Sequence, residues 1–168
     1  MSGTIDHVNF RVTLDAQLNK ALDLDTPIDP LVYSISLLLT NGTGSGAASQ
    51  MWHDQRTLGA SATEDLDFAA SLTNAFGVTL TFVKIKLVIV KAATTNTNDV
   101  QVQRIATTGL PLFMADGDGI ALGPGEFFIY GSPTTGKTVT ATTDDTLTFT
   151  NSAGSTSVVY DIIVIGTD

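Results

Sequence analysis

The chain has 168 residues, a formal charge of −9, 43% hydrophobic residues and only 15% charged ones, which is one domain's worth of sequence with enough apolar material for a sizeable core. Lysine and arginine together number eight, too few to form the clustered basic surface that phosphate backbones require, so nucleic-acid binding is not expected. Cysteine is absent, which removes disulfides, thiolate metal sites and thiol nucleophiles.

A mean hydropathy of +0.23 is apolar for a lone soluble domain and points to surface covered by partners. The opening MSGTIDHVNF lacks a basic patch followed by an apolar core, so a secretory signal is not expected. The longest apolar run, LVIVKAA after VKIK, is too short and too lysine-bounded to span a bilayer.

In chain order the first signal is alternation. Val8, Phe10, Val12 and Leu14 alternate with polar residues, which predicts a strand with one buried face. The polar stretch DAQLNKALDLDTPIDP, with two prolines, makes residues 1–30 read either as an extended arm or as an edge strand plus loop. LVYSISLLLT (31–40) alternates again and ends at the glycine-rich NGTGSGAAS. MWHDQRTL (51–58) reads as a strand of mixed character.

One short helix is expected. In DLDFAASLTNAFG, Phe68, Leu72 and Phe76 recur at helical spacing and Gly77 follows as a stop. TLTFVKIKLVIVK (79–91) is the strongest strand signal, with Val83, Ile85, Leu87 and Ile89 on one face and Lys84 and Lys86 marking the other as solvated. VQVQRIA, EFFIYG, KTVTAT, DTLTFT and TSVVYDIIVIG follow, separated by NTND, ADGDG, GPGE, SPTTG, TTDD and NSAGS. Threonine, at 26 copies, is the commonest residue, and its β-branched side chain suits a pleated sheet. Roughly eight to ten short strands with tight turns describe a single all-β domain, an antiparallel β-sandwich or barrel.

Residues 131–138, GSPTTGKT, satisfy the phosphate-loop pattern letter for letter. That loop works only where a buried strand opens, through the glycine-rich turn, into a helix whose N-terminus faces the phosphates. Here VTATTDDTLTFT follows, a good strand and a poor helix, so the octapeptide is expected to be a hairpin link. ADGDG (115–119) resembles part of a calcium loop. Counted from Asp116, however, position five is Ile120 and position twelve is Phe127, where oxygen ligands are wanted. A tight turn is expected instead, without metal.

His53 lies beside Trp52 and Asp54, but strand neighbours point to opposite faces, and no serine sits in a nucleophile elbow. No catalytic residue and no cofactor are therefore expected. Trp52 suits a sandwich core or an interface anchor, with core the safer expectation. Phe127 and Phe128 must face opposite sides of their strand, so one belongs to the core and the other to a second layer or a neighbouring subunit. Phe10, Trp52, Phe127 and Phe128 are accordingly the interface candidates.

The C-terminal part carries a pattern of turns entering strands: Leu72 to Gly77, Pro124 to Phe127, Thr135 to Gly136, Asp145 to Asn151, and Tyr160 to Gly166. Over about residues 66–168 this resembles small virion structural proteins of tailed bacteriophages, of the capsid decoration (cement) type. The resemblance implies a jelly-roll-like sandwich that assembles as a small oligomer, such as a homotrimer, on the outside of a head. Its partners would be copies of itself and the major capsid protein or other virion subunits, with no nucleic acid and no membrane. A carbohydrate- or receptor-binding module on a tail or head fibre is the alternative expectation, since jelly rolls also host lectins.

Overall fold

The computed structural model describes residues 4–69 and 71–168. Among these residues twelve strands follow in chain order: β1 (His7–Asn19), β2 (Ile28–Asn41), β3 (Ala47–Ala48), β4 (Gln50–Leu58), β5 (Thr63–Asp67), β6 (Lys84–Ala92), β7 (Val100–Gln103), β8 (Gly119–Leu122), β9 (Phe127–Gly131), β10 (Lys137–Thr138), β11 (Thr146–Asn151) and β12 (Val158–Thr167). No helix occurs among the described residues. The protein is all-β, and apart from the short parallel pairing of β2 with β3 the strand pairs are antiparallel.

Two sheets form the sandwich. The central sheet runs β4–β12–β6, with β9 and β10 lying one after the other along the far edge of β6; the second sheet runs β5–β11–β7–β8. Successive strands repeatedly change sheets, as β4 to β5 to β6 to β7 and β10 to β11 to β12 do, which is the connection habit of jelly-roll-like sandwiches. Along β12 the residues Val158, Tyr160, Ile162 and Val164 are buried in the core between the sheets. They meet Leu147 and Phe149 of β11, with the Tyr160 and Phe149 rings stacked at 4.5 Å between centroids.

The expected helix does not form. Phe68 donates its backbone N–H to Asp145 and accepts from Phe82, and Leu72 accepts from Leu80, so the backbone of these two core residues is bonded to segments leading into β6 and β11 rather than in a helical pattern. Phe68 and Leu72 are buried while Phe76 is 72% exposed. Burial of the first two against the core overrides the weak local helical spacing.

Lys86 also departs from expectation. The pairing skips from Ile165↔Leu87 to Gly166↔Ile85, leaving Lys86 as the extra residue of a β-bulge. The bulge turns Ile85 into the core with Val88 and Val90 and buries Lys86 to 1% exposure. The lysine predicted to be solvated is thus enclosed.

The N-terminal element is a hairpin, not a single extended segment. β1 and β2 pair over their whole lengths, from His7↔Thr40 to Asn19↔Ile28. The stretch 31–40, expected as a strand of the sandwich, belongs to this hairpin. Only its base touches the body: Leu37 and Leu39, with Val8 and Phe10 beside them, cover Leu87 and Ile165 on the outer face of the central sheet.

Candidate interaction surface

Three of the sequence motifs resolve into structure-holding roles. In the octapeptide 131–138, the carbonyls of Pro133 and Thr134 accept from the Lys86 ammonium at 3.3 and 2.9 Å. Ser132 Oγ accepts from the Gly136 N–H at 3.0 Å, and Gly136 takes the left-handed φ of +72° that the turn needs. A phosphate loop presents N–H donors to an anion; this turn presents acceptors to a cation, so its polarity is reversed. Burial, and secondarily the charge of Lys84, pushes the Lys86 ammonium below the usual lysine range.

The ADGDG turn is similarly committed. Asp116 pairs with Arg104 at 3.1 Å and Asp118 accepts from the Ala115 N–H at 2.8 Å. Among the described residues no group of three His, Cys, Asp or Glu side chains is placed to hold a metal. Asp54 pairs with Arg56 at 3.1 Å rather than with His53. The two histidines do meet in one place: a cleft of about 300 Å³ between the hairpin base and the body is lined by His7, Met51, His53, Phe76 and Asp168.

The four aromatic interface candidates fall in different settings. Trp52 is 5% exposed and belongs to the sandwich core. Phe128 faces inward, half-buried against Phe113 at 5.7 Å between centroids. Phe10 is half-buried at the hairpin base. Phe127, on the opposite face of β9 from Phe128, is 63% exposed.

What the single aromatics only sampled is a larger surface. Beyond Phe10 the hairpin projects with both faces in solvent, about 30 Å of two-stranded ribbon at the usual rise per residue. Cross-strand partners share a face, and on one face the pairs are Val12↔Ile35, Leu14↔Tyr33 and Ala16↔Leu31. Leu14 is 52% exposed and Tyr33 59% exposed. An isolated two-stranded hairpin is marginal in water, and a contiguous exposed apolar face marks an interaction surface. Alternation in the sequence revealed that this face is apolar; what the alternation did not carry is that none of the described residues covers it.

A scan against protein-family models and searches of the curated proteins and of the solved structures return no match to this chain.

Proposed function

We propose that this protein is a structural component of a bacteriophage particle, of the capsid decoration type, made in the bacterial host and held on the outside of the head by its contacts with other subunits. The observation that carries this reading is the projecting hairpin with an unburied apolar face: a domain so built is complete only when its arm is covered. The role is structural rather than catalytic, and association as a homotrimer gives the arms their partners.

The turn-and-strand pattern over residues 66–168 supports the virion assignment by resemblance. The charge of −9 suits a position outside the shell, away from packaged DNA. Repeated weak contacts around a symmetric lattice add up through avidity. The carbohydrate-binding alternative drew on Trp52, Asp54 and the ADGDG turn, and no specific observation favours it: the tryptophan is buried and the carboxylates are engaged.

The test is sedimentation with empty heads assembled without this protein. Saturable co-sedimentation, with heads that then resist heating better than bare ones, is the expected result. Protein left in the supernatant at every concentration would remove the virion role.

A further inference from the structure

The hairpin's apolar face is one continuous surface in two conditions. From base to tip its cross-strand pairs are Val8↔Leu39, Phe10↔Leu37, Val12↔Ile35, Leu14↔Tyr33 and Ala16↔Leu31. The first two pairs lie against the outer face of the central sheet, where Leu37, Leu39, Leu87 and Ile165 are buried together. The remaining pairs are exposed.

The sheet that receives the base is itself only partly covered. Strand pairing sets its outer face in three rows. In the first row, Gly131, Leu87, Ile165 and Met51, Leu87 and Ile165 lie under the hairpin base, and a Cβ on Gly131 would touch Leu37 at 3.5 Å, while Met51 at the far end is exposed. The second row is Ile129, Ile89, Ile163 and His53, and the third is Phe127, Lys91, Asp161 and Gln55. Ile163 and Phe127 are exposed, and a polar rim of His53, Gln55, Lys91 and Asp161 surrounds them.

We propose that the distal half of the hairpin docks on a second copy of this chain, laying Val12, Leu14, Tyr33 and Ile35 across the exposed Ile163 and Phe127 of that copy's central sheet, beyond the half-buried Ile89 and Ile129 that border the hairpin base. The proposal rests on the self-association part of the reading above and not on its virion part. The base already shows the pairing: this apolar face against this sheet face is a buried interface within one molecule, and the exposed remainders of both surfaces continue it.

A molecule cannot satisfy its own remainder, because its base fixes the hairpin on the first row and the distal half stands clear of the body, exposed on both faces. Each copy therefore offers one arm and one patch. Such a contact is heterologous, and it closes into a ring when the rotation between copies permits. Dispersion and water release from two apolar faces, with the polar rim left in solvent, is the ordinary anatomy of a subunit interface.

The absence of cysteine makes the test direct. Leu14→Cys and Ile163→Cys are prepared as separate proteins, mixed through a dissociation and reassociation step, and mildly oxidised. The expected result is a disulfide-linked heterodimer at least about fivefold above the yield with Thr13→Cys, whose side chain lies on the opposite face of β1, since a disulfide forms only where Cβ atoms come within about 4.5 Å. Tyr33→Cys with Phe127→Cys is a second pair, so that one misjudged register does not decide the matter.

Leu14→Asp, Ile163→Asp and Phe127→Asp, all at exposed positions, are each expected to shift the native mass towards the monomer. No heterodimer above the control for either pair overturns the proposal. So does the pattern in which Leu14→Asp abolishes binding to empty heads while Ile163→Asp and Phe127→Asp change neither mass nor binding, which would give the arm to another virion subunit. Cross-linking with no binding to heads upholds the arm exchange and removes only the virion role.

Discussion

Tyr160 donates its hydroxyl to Glu64 Oε1 at 2.7 Å, joining β12 of the central sheet to β5 of the opposite one. Arg56, opposed to Tyr160 on the neighbouring strand, donates to the other carboxylate oxygen through Nε at 3.1 Å. A hydroxyl and a guanidinium from one sheet thus share one carboxylate of the other, and the sandwich is fastened at that edge by charge-assisted hydrogen bonds. The Glu64 bond raises the Arg56 pKa further above its ordinary value. Burial, reinforced by the bond to Glu64, holds the Tyr160 phenol well above the usual tyrosine range.

Tyr160→Phe is expected to lower stability by about 2 kcal/mol at pH 7, the cost of losing a hydrogen bond to a charged partner. The alkaline consequence has a definite sign. Below about pH 10 the phenol is neutral in both folded and unfolded chains, and its contribution is complete. As the pH rises past that point the unfolded chain releases the Tyr160 proton while the folded one keeps it, so stability falls by up to about 1.4 kcal/mol per pH unit. Denaturant unfolding between pH 9 and 12 should therefore show a steeper loss for the wild type than for Tyr160→Phe. Parallel curves would show that Tyr160 does not set the alkaline slope.

Lys86 and Lys137 both belong to the neighbourhood of the octapeptide, and their substitution should separate them. Lys86→Ala removes a buried stem and two bonds to carbonyls, and is expected to cost about 2 kcal/mol. Lys137→Ala, at the position of the phosphate-loop lysine, should cost about 0.5 kcal/mol or less. Neither variant nor the wild type should show a heat of binding with ATP and magnesium in titration calorimetry. A magnesium-dependent heat lost in Lys137→Ala would restore the nucleotide reading.

Gly166 permits the bulge that buries Lys86. A Cβ there would lie 2.1 Å from the Lys84 carbonyl oxygen and 2.8 Å from Phe82 Cδ1, and the Lys84 backbone together with the buried Phe82 ring leaves little room to yield. Gly166→Ala is expected to cost about 3 kcal/mol. Gly44→Ala, where no atom lies within 4 Å of the added Cβ, should stay within about 0.5 kcal/mol of the wild type. Thermal unfolding of the two variants side by side checks the contrast.

The strands that were legible are those whose alternation and composition agree with their burial. In β12 the alternate residues Val158, Tyr160, Ile162 and Val164 and in β11 Leu147 and Phe149 fill the core, and the link between the two strands carries the expected serines and glycine. Phe68 and Leu72 were misread because helical spacing and burial against a distant strand produce the same pattern over so few residues. Lys86 was misread because a bulge has no local signature: it depends on the register between β6 and β12, which are far apart in sequence.

The candidate surface was legible in a similar half. The period of Val8, Phe10, Val12 and Leu14 marked an apolar face, and that of residues 31–39 marked another. That the two face the same way, and that they outrun the body, follows only from their pairing with each other. Of the single aromatics, Phe127 lies on the exposed sheet face as its alternation with Phe128 required, whereas Trp52 went to the core. A side chain's size says that it wants burial, not whose atoms will bury it.

The native mass of the purified protein by light scattering at micromolar concentration tests the central claim most directly, because the proposed docking of one copy's arm on another's sheet face requires association. A mass near three times the 17.6 kDa of the chain is the predicted result, falling towards that of one chain in Leu14→Asp. A wild-type protein that remains at the mass of a single chain across that range, with the arm exposed and protease-sensitive, would contradict the account.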